Sequence, residues 1–194
     1  MPVRIMACTA EETFTLRRGV FLSAATSANH LQFQKEFIMT VSPEVIKRVR
    51  GAIQDRARSY ATFYLVLAEE LGEKRAEELC RKAIGQFARE RARREGSRTP
   101  DGWVDEHMTF ANAIFDSKIV KGEDASEQHM TYCPLLEEWK AMGLSPEMQD
   151  LMCDIAMELD RERAAAHGIP CDIVERIGKG DSFCRVVLWK KAKP

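Results

Sequence analysis

Residues 171–191 read CDIVERIGKGDSFCRVVLWKK, two short runs on either side of a Gly-Lys-Gly-Asp turn. Both runs are rich in β-branched and aromatic residues, and the second alternates with a period of two, the pattern of a hairpin. Cys184, Val186 and Leu188 fall on one face of that second run. Phe183, Arg185, Val187 and Trp189 fall on the other, so the cysteine enters with the set expected to face a core. Gly178 and Gly180 allow the backbone to approach a neighbour closely, and Asp181 stands at the edge of the turn.

A second hairpin is expected upstream, in ANAIFDSKIVKGEDASEQHMTYCP (residues 111–134), where the turn-rich KGEDAS separates two strand-like stretches. The rest of the chain has helical periodicity. Ser42-Pro43-Glu44 is a helix start, with a capping hydroxyl, proline at the first helical position and an acid at the positive end of the dipole. From there Ile46, Val49, Ile53, Ala57, Tyr60, Tyr64, Leu67 and Leu71 form one apolar stripe that Gly72 ends. The spacing predicts a second helix from about Lys74 to Glu95, with Ala76, Leu79, Cys80, Ala83, Ile84 and Phe87 facing inward. GSRTPDGW (96–103) reads as a loop. Pro134 opens a short helix, and Ser145-Pro146-Glu147 repeats the start signal for a last one reaching about His167. Helices, hairpin, helices and hairpin describe an α+β fold: an antiparallel sheet of about four strands from two hairpins, packed against four main helices.

Helical patterning begins only after IMTVSPEV (38–45), which makes Met39 a candidate start. Residues 1–39 are expected to be a poorly ordered N-terminal extension, and 40–194 a single α+β domain. The chain has 194 residues, 45% hydrophobic and 30% charged, with a formal net charge of −1. That length suits one domain with a core. The near-neutral charge argues against nucleic acid as a partner, because neutralising phosphates requires a basic surplus. The run RKAIGQFARERARREGSR (81–98) is flanked by acids and reads as a solvated helix face. No stretch approaches the ~20 apolar residues that span a bilayer, so a membrane partner is not expected either. Six cysteines without a paired Cys-x-x-Cys spacing make no disulfide framework, which points to reduced thiols and a cytoplasmic location.

Three cysteines stand at the edges of neighbouring elements. Cys133 is expected to end the second strand of the upstream hairpin, immediately before a helix N-terminus, where positive potential would lower its pKa. Cys153 lies on a flank of the last helix with Ala156, Met157 and Asp160. Cys153 and Asp160 are seven positions apart, roughly 10 Å along one ridge, so a small ligand could touch both. Cys184 completes the set, while Cys80 and Cys171 read as packing residues. His129 shares the strand expected to end at Cys133 but stands some 13 Å from it, too far to act as its base. His30, His107 and His167 read as surface residues.

YCPLLEEWKAMG (132–143), LMCDIAMELDRERAAAHG (151–168) and ERIGKGDSFCRVVLWK (175–190) together resemble the L-2-amino-thiazoline-4-carboxylic acid hydrolase family. The matching positions are Cys133, Pro134, Gly143, Cys153, Asp160, Gly180, Asp181 and Cys184. Asp160 follows Cys153 at a longer interval than the family pattern, with Ala156 at the nearer position. The closing strand also looks like vinyl-reductase-type ligand-binding domains. The resemblance implies a hydrolase that opens a cyclic C–N bond in an amidine-like ring, with a small-molecule substrate. Cys133, Cys153, Asp160 and Cys184 would then be catalytic, and His129, Met157, Gly180 and Asp181 would bind substrate. An arginine or a helix N-terminus would hold the substrate carboxylate.

Three other readings stay open, one of them that the cysteines only pack and the function lies elsewhere. The three cysteines, with Asp160 or His129, could present ligands to zinc, although spacings of 20 and 31 residues match no finger. Alternatively the domain binds or senses a small molecule without transforming it.

Overall fold

The computed structural model describes residues 41–96, 98–107 and 111–191; the expected extension 1–39, with Cys8 and His30, lies outside them, as does the side chain of His107. In chain order the elements are α1 (Pro43–Leu71), α2 (Glu73–Glu95), α3 (Pro100–His107), α4 (Ala111–Phe115), β1 (Ser117–Lys121), β2 (Ala125–Met130), α5 (Pro134–Ala141), α6 (Pro146–Ala156), α7 (Glu158–Ala166), β3 (Cys171–Glu175), a 3₁₀ turn (Ile177–Lys179) and β4 (Cys184–Trp189). The strands form one antiparallel sheet in the order β1-β2-β4-β3. The fold is α+β, and each hairpin lies where strand periodicity put it.

Helix starts follow the sequence signals. The Ser42 hydroxyl accepts from the Val45 N–H and the Ser145 hydroxyl from the Met148 N–H. A third start of the same kind, Thr99-Pro100-Asp101, opens α3 where a loop was expected: the Thr99 hydroxyl accepts from Gly102 N–H and the Thr99 carbonyl from Trp103 N–H. The short α4 likewise occupies part of a stretch expected to be strand.

Two further expectations change. On α2 the inward face is Ala76, Ile84, Gly85, Ala88 and Ala92, while Phe87 is 51% exposed and Ala83 faces solvent. These small residues let α7 approach α2 closely, and a Cβ at Gly85 would stand 3.1 Å from Glu162 Cγ. The last helix also divides, α6 ending at Ala156 and α7 beginning at Glu158. At the break the Asp154 carbonyl accepts from the Arg161 and Arg81 guanidinium groups, and such side-chain competition for a helical acceptor is a recognised cause of kinking.

Ion pairs brace the break. The Asp154 carboxylate binds Arg81, Arg161 and Arg176, Glu158 binds Arg81 and Arg161, and Asp150 binds Arg176. The basic run on α2 is thus a face of paired charges, with Arg89 held by Glu162 and Arg91 by Glu95.

Apolar side chains pack into two clusters. One joins α1, α2, α5 and α6 through Ala57, Ala61, Tyr64, Ile84, Leu136, Trp139, Met152 and Ile155. The other joins α3 and α7 to the sheet through Trp103, Val104, Ala164, Ile169, Val186 and Leu188. The indole N–H of buried Trp139 donates to the Ala57 carbonyl at 2.9 Å, so the largest side chain of the first cluster brings no unsatisfied donor inside.

Candidate functional site

A cavity of about 250 Å³ lies where the two clusters meet. Its wall includes Ile53, Arg56 and Tyr60 from α1, Phe115 from α4, Gln128 and Met130 from β2, and Leu135 and Trp139 from α5. Cys153 and Ala156 of α6, Met157, Leu159, Asp160 and Arg163 around α7, Arg176, and Cys184 of β4 complete most of it. Cys133 stands among them at the start of α5. Thiols from three separate segments therefore converge on one hollow, together with Asp160 and Met157, as the sequence suggested.

Each thiol has its own setting. Cys133 is the N-cap residue of α5, three residues beyond the end of β2 at Met130, so it stands at a helix start and does not end a strand. Burial pushes its thiol up. The Leu135 and Leu136 N–H groups and the Arg56 guanidinium act in the opposite direction, as expected of a helix start, but desolvation wins. Cys153 Sγ is packed against the turn at Gly178, where an added Cβ would lie 2.5 Å from the sulfur. Its thiol is also pushed up, by burial first and then by the facing thiols of Cys133 and Cys184. Cys184 Sγ accepts from the Ile177 N–H at 3.3 Å, and burial raises its pKa to about 11. All three cysteines are free thiols, and none has the lowered pKa expected of an exposed helix-start cysteine.

Three expected binding residues lie elsewhere. His129 points to the opposite face of the sheet because side chains alternate along β2 and Gln128 and Met130 take the cavity side. There it bonds Glu127 Oε2 at 2.6 Å and stacks on Phe183, while the Arg185 guanidinium donates to both oxygens of Glu127. Gly180 and Asp181 shape the turn without lining the cavity. Gly180 takes the left-handed conformation, with φ of 103°, and the Asp181 carboxylate accepts from Arg176 N–H at 2.8 Å. His167, expected at the surface, has a side chain only 6% exposed, edge-on to Trp103.

Among the described residues no group of three or more His, Cys, Asp or Glu side chains could hold a metal ion. The donors of the zinc reading, Cys133, Cys153 and Cys184, therefore surround a hollow and do not close on one point; His129 faces away. No helix among the described residues is long and apolar enough to cross a membrane.

The sequence reading named no particular arginine, yet four line the cavity. Arg91 is paired with Glu95, Arg163 with Glu95 and Glu106, and Arg176 with Asp150 and Asp154. Arg56 has no carboxylate partner among the described residues, and its buried Nε has no acceptor. A signal existed: Ile53, Arg56, Ala57 and Tyr60 stand at steps of three, one and three, so an arginine sits within the inward stripe of α1.

The fold and the hollow define a class: an α+β protein with a small, mainly apolar, thiol-lined pocket enclosed between its helices and one face of its sheet. Within that class the chain belongs to the L-2-amino-thiazoline-4-carboxylic acid hydrolase family, whose model matches residues 52–188. The matched stretch contains every residue of the cavity wall. No curated protein and no solved structure matched the chain.

Proposed function

We propose that the cavity is the active site of a hydrolase that opens the C–N bond of a small cyclic amidine, an amino-thiazoline carboxylate being the substrate the family name suggests. The observation that carries this reading is the meeting of Cys133, Cys153, Cys184 and Asp160 around one hollow within the matched region. A thiol, a proton carrier and a cation are the parts that such a ring opening requires.

Cys133 is the nucleophile in this reading. Cys153 Sγ is packed against Gly178 and Cys184 Sγ is engaged by a backbone N–H, whereas Cys133 stands at a helix start and shares the cavity wall with Arg56. The Cys133 S–H adds to the ring carbon between the two nitrogens, forming an S–C bond, while its proton passes through Asp160 to the ring nitrogen. The ring C–N bond then breaks and the nitrogen departs as an amine, taking a second proton from the exocyclic amino group. Water adds to the carbon, the Cys133 thiol leaves with its proton restored, and the net change is one water consumed per ring opened. Because burial keeps the resting thiol protonated, the proton carrier is essential to this scheme.

The test is to replace Cys133, Cys153 and Cys184 singly by serine and Asp160 by asparagine, and to follow ring opening of L-2-amino-thiazoline-4-carboxylate. Cys133→Ser and Asp160→Asn are expected to lose turnover by about 10²-fold or more. Unchanged turnover in all three cysteine variants removes the cysteine mechanism.

The raised thiol pKa values favour one other reading, a binding or sensor domain whose neutral thiols only shape the pocket. It predicts that the ring compound is recovered unchanged after prolonged incubation with protein that binds it.

A further inference from the structure

We infer that Arg56 is the specificity-determining residue of the cavity, seating a carboxylate of the ligand beside Cys133 and selecting anions over neutral analogues. The inference deepens the hydrolase reading and rests on it for the identity of the ring, but the seat itself is argued from the wall of the cavity alone.

The other three arginines of the wall are occupied: each is tied to one or two carboxylates of the protein. Arg56 is held differently. Its guanidinium carbon stands 5.9 Å from the centre of the Tyr60 ring, and its buried Nε has no acceptor. A permanently charged guanidinium placed against a hollow with an unmet donor is costly unless something supplies the acceptor. A ligand carboxylate fits, since its two oxygens match the fork of a guanidinium.

The cavity carries a second source of positive potential. Cys133, at the N-cap of α5, shares the wall with Arg56, so the positive end of that helix borders the same hollow. An anion seated on Arg56 therefore shares the hollow with Cys133. The remaining wall is mainly apolar, with Ile53, Leu135, Trp139 and Met157, and about 250 Å³ accommodates one small ring.

Two matched pairs of compounds test the seat: L-2-amino-thiazoline-4-carboxylate with its carboxamide, and thiazolidine-4-carboxylate with its carboxamide. Affinities are measured by calorimetry on the full chain, for wild type, Arg56→Gln and Arg56→Lys, with melting curves to establish that each variant is folded. The wild type is expected to prefer the carboxylate in each pair it binds, and Arg56→Gln to lose about 30-fold for the carboxylate while holding the carboxamide within about threefold. Arg56→Lys, which keeps the charge without the fork, falls between them.

A carboxylate preference in the thiazolidine pair that disappears in Arg56→Gln, with no ring opening of the amino-thiazoline, supports the seat and removes the hydrolase reading. Ring opening with the same KM in wild type and Arg56→Gln supports the hydrolase and overturns the seat. Equal affinity of the wild type for carboxylate and carboxamide, or binding of neither pair, also overturns it.

Discussion

Cys153 and Gly178 are in mutual contact: a Cβ built on Gly178 would stand 2.5 Å from Cys153 Sγ and 3.0 Å from its Cβ. The turn after β3 can seal α6 only because residue 178 has no side chain. Gly178→Ala is expected to cost about 2 kcal/mol, the usual penalty of overpacking. The double variant with Cys153→Ala should recover part of it, since the contact to the Gln149 carbonyl at 3.2 Å persists. Urea midpoints decide; a Gly178→Ala protein as stable as wild type would show the contact to be unimportant.

Asp154 is the common carboxylate partner of Arg81, Arg161 and Arg176, and its burial cost is outweighed by hydrogen bonds from Arg161 and Arg81, which hold its carboxyl below the usual range. Asp154→Asn leaves these cations short of a counter-charge at the break between α6 and α7. The expected loss is about 2 kcal/mol, and ligand affinity falls with it because Arg176, Met157 and Asp160 line the cavity on either side of that break. Denaturation and calorimetry on the same variant measure both effects.

Glu95 lies between Arg163, only 2% exposed, and Arg91. Burial alone would raise its carboxyl, but hydrogen bonds from Arg163 and Arg91 prevail and hold it at about 2. The folded pKa is below the unfolded value of about 4.3, so this contribution to stability is complete above that value and is lost as pH falls toward about 2. Glu95→Gln is expected to cost about 3 kcal/mol at pH 7, since it strips a buried guanidinium of its main partner. The gap between wild type and variant should narrow steadily below pH 4.5, within about the same window. A gap independent of pH would contradict this assignment.

At the alkaline end the sign is reversed. Burial raises the folded Cys184 pKa to about 11, against about 8.5 in the unfolded chain, so its contribution is intact below pH 8.5 and declines as pH rises toward about 11. Cys184→Ala should show a shallower loss of stability across that interval than wild type. Iodoacetamide labelling of the native protein offers a companion measurement, with slow reaction at Cys184 at pH 7.5 and acceleration only well above pH 9.

The parts of this fold set by local rules were readable in the sequence. Strand alternation placed both hairpins, and Ser-Pro-acid starts placed α1 and α6. Thr99-Pro100-Asp101 obeys the same rule and opens α3, but it stands between Gly96 and Gly102, a setting equally typical of a loop. What escaped depends on contacts between distant segments. Phe87 lies outside because Gly85, Ala88 and Ala92 form the seam with α7, a preference for closeness over apolar bulk. The break at Met157 depends on arginines reaching the Asp154 carbonyl, one of them from α2. For the site, the convergence of the three cysteines, Asp160 and Met157 was legible from element edges. The place of His129 was not, because it depended on where β2 ends and hence on which face each residue takes.

The position of the cavity has a thermodynamic corollary. Two apolar clusters, one helical and one built on the sheet, share the hollow as their common boundary. An occupant touching both walls binds the folded unit and not the unfolded chain, so once its concentration exceeds its dissociation constant it raises the melting temperature with the logarithm of that concentration. A thermal-shift survey of small ring carboxylates thus reads affinity directly from the heat resistance of the protein, before any assay of chemistry exists.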